Sequence, residues 1–479
     1  MAVALSRRTV AKNALSQLGT FALSGGSKAI AAIMVARTLG PKGMGTFSLS
    51  WTLAGTLAFV AVLGLDNRLI RELARTRDPR ELERSLPLAC LLGLIFGGLL
   101  TGIPALTGVH SDAAQALAAA GGFVAVSAPI LIFRATFHAR EKMEYETVTC
   151  VVEGAVALIA VAVALGAGFG VGGAMLGLTA GRVANLILCL VLYRRLWGPV
   201  RIEIAARRWL GLIHEGWPLA VSYSLTATFL RFDILVLAIF HPSAEVGMYG
   251  AASVILLTAP LVAVSFSSSL YPILAQAEGL DDEHLQSVFQ KTSRILIVAA
   301  LPLATGLTVL ATPIAEMLFG SDFGHTGRYL ALLAWILPFR FVNHLFGVVL
   351  AATHRARSRR LAAVALALIA NLALNLMLIP TWGAYGAVAA TIATELVIAG
   401  LLLAGIRPLR PILARPLVEG ALVALAMTGV VLVTPGGIFP QLATGGASFA
   451  GGLWVLFLWL PSRGLAAFSA TEQESAAAA

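Results

Sequence analysis

The chain is a succession of fourteen apolar stretches joined by short polar connections, at roughly 15–37, 44–65, 86–106, 114–134, 147–168, 171–193, 216–240, 247–273, 293–319, 329–351, 360–379, 384–405, 415–435 and 443–461. About 20 apolar residues is the length a helix needs to cross the hydrocarbon core of a bilayer, about 30 Å. The apolar residues come in runs rather than at the spacing of a surface helix, and only 12% of the 479 residues are charged against 58% apolar. These features define an all-α polytopic membrane protein of about fourteen transmembrane helices. The longest connections, 66–85, 194–215 and 275–292, leave no room for a soluble domain. The segment 466–479, ending TEQESAAAA, is expected to be a disordered cytoplasmic tail.

Charge sets the orientation. With the N-terminus inside, 27 of the 34 Lys and Arg fall on the inner face and only Arg37, Lys42 and Arg328 on the outer. Positive residues accumulate on the cytoplasmic side, so both termini are expected there. The pI near 10 is therefore a loop bias, and nucleic acid is not an expected partner. The first apolar run is span-length and is followed by a second span, so it is expected to stay attached rather than to be cleaved as a signal peptide. Cys90, Cys150 and Cys189 fall inside spans, where a thiol behaves as a small hydrophobe.

The remaining four cations, Lys28, Arg182, Arg231 and Arg340, lie near the middle of spans. On the lenient insertion scale each costs roughly 2.5–3.5 kcal/mol there, so the four together cost on the order of 10 kcal/mol. Three acids also lie within spans away from their ends, Glu153, Asp233 and Glu395, and are candidates for charge partners or for coupling groups. Asp233 and Arg231 are two residues apart and point to opposite sides of one helix, so they cannot pair within it. Three acids against four bases leave one positive charge in excess, which an anionic ligand would compensate. Asn343 and His344 follow Arg340 at i+3 and i+4 on one helix face and are candidate sugar contacts. Asn371 and Asn375 read as interhelical hydrogen-bonding residues, and Pro129, Pro260 and Pro338 as kinks.

A weak repeat runs through the chain. GTFSLS (45–50) at the junction of spans one and two matches GMYGAAS (247–253) between spans seven and eight, aligning Gly45 with Gly247. GFGVGGAMLGLTAGRV (168–183) matches TWGAYGAVAATIATEL (381–396), aligning Gly170 with Gly383, Gly173 with Gly386 and Arg182 with Glu395. The unit is six spans. The expected domains are an N-lobe at 1–209, a C-lobe at 210–412 and two further helices within 413–465, with the lobes facing each other across a cavity.

Several segments carry a family likeness: ARTLGPKGMGTFS (36–48), Arg71-Glu72, AREKMEYET (139–147), RFD (231–233), EVGMYGAAS, Tyr271-Pro272, LPLATGLTVLATPIAEMLFGSDF (301–323) and NLALNLMLIPTWGAYGAVAATIATE (371–395). In this order they resemble the Wzx-type polysaccharide repeat-unit flippases of the multidrug, oligosaccharidyl-lipid and polysaccharide (MOP) exporter superfamily. The resemblance implies a MATE-like fold of two six-helix lobes in the bacterial cytoplasmic membrane. It implies alternating-access movement of a polyprenyl-diphosphate-linked glycan from the inner to the outer leaflet, within membrane lipid and beside polysaccharide polymerase or assembly proteins. Lys28, Arg182, Arg231 and Arg340 would then bind the diphosphate, since Arg offers permanently charged, bidentate donors.

No cofactor or metal is expected, and no Gly-Lys dipeptide is present for a Walker A loop. Energy would come from an H+ or Na+ gradient or the membrane potential. No catalytic residues are expected: the eight His lie far apart, and there is no Cys-x-x-Cys or Gly-x-Ser-x-Gly. Three alternatives remain: a lipid II flippase, a multidrug or cation antiporter of the MATE branch, and a membrane polysaccharide polymerase or ligase.

Overall fold

The computed structural model describes residues 7–107, 111–203, 209–214, 231–256, 283–352, 357–435 and 437–459. The sequence expectations for both chain ends, for 216–230 and 257–273 of spans seven and eight, and for Pro260 lie outside the described residues. The described elements are α-helices and short 3-10 turns: α1 Arg7–Val62, α2 Leu65–Thr76, α3 Arg80–Thr107, α4 Asp112–Ala139, α5 Met143–Gly166, α6 Gly170–Trp197, α7 Phe232–Phe240, α8 Ser243–Leu256, α9 Glu283–Val309, α10 Ala311–Phe319, α11 Gly324–Leu333, α12 Ile336–Ala352, α13 Arg357–Gly405, α14 Ala414–Val433 and α15 Ile438–Trp459. Among the described residues eight helices are long and apolar enough to cross a membrane, nine if the bent pair Ser321–Leu333 and Ile336–Leu350 is one span.

Two of these helices each carry a pair of expected spans. Helix α1 turns at Gly40 (φ 65°, ψ −170°) and α13 at Gly383 (φ 57°, ψ −134°), backbone conformations essentially reserved for glycine. At the second corner Glu245 accepts the Ala384 N–H at 2.7 Å, while His241 Nε2 sits 2.8 Å from the Ile379 carbonyl oxygen.

Expected spans nine and ten are broken, and proline accounts for both breaks. Pro313 has no N–H to offer Val309, where α9 ends, and Pro338 has none to offer Ala334, beside a 41° bend. Pro129, by contrast, lies inside the unbroken α4.

By its contacts the chain divides into two compact units. The first comprises Met1–Leu261, Ala315–Tyr329 and Leu368–Thr394; the second comprises Val262–Ile314, Leu330–Ala367 and Glu395–Ala479. In the first, α3 packs on α4, α4 and α5 on α6, and α1 on α8. Glycine allows these approaches: on α6, Gly173, Gly177 and Gly181 recur every fourth residue, and a Cβ at Gly177 or Gly181 would fall within 2.8 Å of α5 atoms. The α1–α8 contact is closer still, since a Cβ on Gly45 would lie 1.7 Å from the Ser243 carbonyl oxygen and one on Gly247 1.9 Å from that of Pro41. The two glycines aligned as repeats thus meet backbone to backbone. In the same unit Asn371 donates to Thr394 at 3.0 Å, tying together the two arms of α13. In the second unit α9 packs on α12 and α14, and α14 on α15.

Candidate functional site

Lys28 lies on the first arm of α1, twelve residues before the Gly40 corner, which is about 18 Å along the helix and near mid-membrane depth. Arg231 is the N-cap residue of α7, nine residues before Phe240 and so at a similar depth below the next corner. The two line one small cavity of about 40 Å³ together with Phe47, Ser48, Trp51 and Gly250. Lys28 Nζ stands 5.7 Å from the Trp51 ring centroid, a cation–π contact, and has no ion pair among the described residues.

Arg231 likewise has no ion pair among the described residues. Asp233 accepts the Ile234 N–H at 2.8 Å and the Tyr249 hydroxyl from α8. A carboxylate in the first turn suits the positive end of α7, whereas Arg231 adds a second positive charge there. A cavity of this size holds a few waters but no diphosphate, so a ligand can enter only if α1 separates from α7 and α8.

The other two cations are paired. Arg182 Nε on α6 lies 3.2 Å from Glu153 Oε1 on α5, and Asn185, three residues on, donates to Glu153 Oε2 at 2.5 Å. The Arg182 N–H is not aligned as a hydrogen bond, so the contact is ionic. The guanidinium also covers Phe123, 4.7 Å from the ring centroid, and Phe123 contacts Trp51.

In the second unit Arg340 Nε on α12 lies 2.7 Å from Glu395 Oε1, and Asn343 Nδ2 donates to Glu395 Oε2 at 3.1 Å. His344 follows, partly buried, on the same helix. Arg-x-x-Asn therefore occurs twice, at 182–185 and 340–343, each time closing on one glutamate from another helix. Of the expected substrate cations, the structure brings Lys28 and Arg231 together on a cavity and places Arg182 and Arg340 in salt bridges.

Sequence reasoning missed a cluster in the first unit. Helix α4 runs on to Ala139, past the expected end of span four, so Arg134 and His138 meet Glu146 of α5 inside the bundle. Arg134 Nε donates to Glu146 Oε1 at 2.6 Å, and Glu146 is only 6% exposed. The i, i+4 spacing of Arg134 and His138 was the available signal.

A bundle of apolar helices with cations at mid-depth fits a membrane transporter. Over residues 10–278 the chain matches the family described as "Polysaccharide biosynthesis protein", and residues 218–381 match the family described as "MatE". The chain belongs to the polysaccharide biosynthesis protein family, within the MOP superfamily.

Among solved structures it resembles the lipid II flippase MurJ in an inward closed conformation, with a TM-score of 0.76 and 16% identity over 93% of this chain and 99% of that one. It also resembles an inward-facing multidrug resistance MATE family transporter, with a TM-score of 0.64 and 15% identity over 82% of this chain and 95% of that one. At these identities the likeness is one of fold. A curated relative is the probable low-salt glycan biosynthesis flippase Agl15 of Haloferax volcanii, 26% identical over 160 residues, 33% of this chain. The matched stretch spans only 34% of that relative's length.

Proposed function

We propose that the protein is a flippase carrying a polyprenyl-diphosphate-linked oligosaccharide from the inner to the outer leaflet of the cytoplasmic membrane by alternating access. One observation carries the reading: Lys28 and Arg231, two cations without ion pairs among the described residues, line a single cavity at mid-membrane depth. Burying each costs roughly 2.5–3.5 kcal/mol, and a diphosphate is a mobile dianion that offsets that cost when bound. An antiporter for cationic drugs would need an excess of acid there. Arg182, engaged with Glu153, would shape the path, while in the second unit Arg340 and Asn343 are engaged with Glu395 and His344 beside them is the candidate sugar contact. Glu153, Asp233 and Glu395 are the candidates for coupling to an H+ or Na+ gradient or to the membrane potential.

The fold likeness to MurJ and the Agl15 match favour a lipid-linked glycan over a drug. Movement of lipid II is the second reading, supported by the end-to-end fold match to MurJ. The test is leaflet transfer of a fluorescent polyprenyl-diphosphate glycan in proteoliposomes. Lys28→Ala with Arg231→Ala should abolish transfer while the protein inserts normally. Transfer at the wild-type rate by that double variant would defeat the reading.

A further inference from the structure

The first unit holds a larger, polar cavity at the level of the Gly40 corner, of about 800 Å³, within the range of small-molecule sites. It opens on the face that the charge distribution assigns to the outside. Helix corners contribute Lys42 and Thr46 from α1, Ser111 and Gln115 from the start of α4, and Ser243 from α8. Lys42 is balanced by Asp112, so the cup is neutral overall and rich in hydroxyl and amide groups. That lining matches the donors and acceptors of sugar hydroxyls.

Beside the cup an apolar groove of about 690 Å³ runs between α5 and α6, walled by Val156, Ile159, Ala160 and Val163 on one side and Leu176 and Ala180 on the other. The two cavities share Gln115, Phe169 and Gly172, so the polar cup adjoins the apolar groove. From Gly166, the end of α5, down to Val156 is about 15 Å of helix, one leaflet's share of a core about 30 Å thick. Phe169, 70% exposed between two positive-φ glycines, stands at the lip, where aromatic side chains favour the membrane–water interface.

We propose that the cup and groove form an exit dock for the lipid-linked glycan, with the isoprenoid chain in the α5–α6 groove and the membrane-proximal sugars in the cup. This rests on the flippase reading above. One ammonium offset by a carboxylate holds a dianion more weakly than two cations that have no ion pair among the described residues. That difference suits a release site downstream of Lys28 and Arg231.

The test compares two photoactivatable lipids in liposomes containing the full-length protein: a polyprenyl-diphosphate N-acetylglucosamine and a phosphatidylcholine, each with a diazirine in its hydrocarbon chain. The prenyl probe should label residues 156–180 well above the phospholipid. Ala160→Trp and, independently, Ala180→Trp fill the groove and displace on the order of two buried CH2 groups of chain, so labelling should fall about tenfold. Binding of inorganic pyrophosphate by the same variants should be unchanged. Equal labelling by both lipids, or undiminished prenyl labelling in whichever tryptophan variants fold, would overturn the dock. If the wild-type protein fails to transfer the glycan between leaflets, the flippase reading fails instead, and the labelling ratio still decides the dock.

Discussion

Gly45→Ala tests the closest helix contact in the described structure. The added methyl would lie 1.7 Å from the Ser243 carbonyl oxygen and 3.1 Å from the Gly247 nitrogen, where real Cβ atoms keep at least 3.0 Å. Both obstacles are backbone, so no rotamer change relieves them and α1 must move away from α8 by about 1.5 Å. Overpacking of this kind costs about 1–3 kcal/mol, and a clash with rigid backbone belongs at the upper end. Alanine returns about 1 kcal/mol of helix propensity, leaving a net loss of about 2 kcal/mol. Gly55→Ala on the same helix is the control, because nothing lies within 4 Å of its Cβ position and only the propensity gain applies. Thermal melts in detergent, followed by size-exclusion fluorescence, should place Gly45→Ala several degrees below wild type and Gly55→Ala at or above it. A Gly45→Ala protein that melts with the Gly55→Ala control would refute the contact.

Ser48→Cys with Gly250→Cys, in a background lacking Cys90, Cys150 and Cys189, should cross-link on oxidation, because a Cβ on Gly250 would lie 3.1 Å from the Ser48 Cβ and a shift of about 0.5 Å reaches the separation a disulfide spans. The cross-link should stop glycan transfer and a reductant should restore it; unimpaired transfer by the cross-linked protein would show that α1 and α8 need not separate. Glu395→Gln strands Arg340 without its counter-charge and should cost about 3 kcal/mol, whereas Arg340→Leu with Glu395→Leu should regain most of the melting temperature, and failure to regain it would contradict a structural pair. Burial of Asp66 at the start of α2 raises its carboxyl pKa, so the folded state holds the proton more tightly than the unfolded one. Its destabilising effect therefore grows as pH rises through the carboxylate range and is absent in acid. Asp66→Asn should accordingly raise the melting temperature at neutral pH and not below the ordinary Asp range, and an equal gain at both would contradict the assignment.

The sequence alone showed the helical membrane class, because continuous apolar runs admit few other folds, and it showed the two repeat matches through their glycines. Gly45 and Gly247 proved to be in contact, and Gly170 and Gly383 share nearly the same positive φ, 60° and 57°. Close approach and left-handed backbone both demand glycine, which is why these positions stand out in a single chain. Pairing was much less legible. Nothing in the sequence tells which of Arg182, Arg340, Lys28 and Arg231 meets Glu153 or Glu395, because an ion pair between helices depends on rotation about each axis as well as depth. Arg134 was hidden for a related reason: hydropathy ends span four near that residue, yet α4 continues to Ala139 and Arg134 pairs with Glu146 of α5.

The charge balance explains why two cations rather than four should respond to a dianion. Arg182 with Asn185 closes on Glu153, and Arg340 with Asn343 closes on Glu395, so each Arg-x-x-Asn unit is already neutral and hydrogen-bonded. Exchanging its carboxylate for a phosphate would gain such a unit little, since one buried pair is broken to make another. Among the described residues Lys28 and Arg231 have no such partner to lose. At an effective dielectric near 20, each phosphate charge about 4 Å from one of these cations gains about 4 kcal/mol. That is close to the roughly 2.5–3.5 kcal/mol cost of burying each cation. Binding of that size suffices to hold the headgroup between α1 and α8 once they have separated. It is also small enough to be reversed when water reaches the cations.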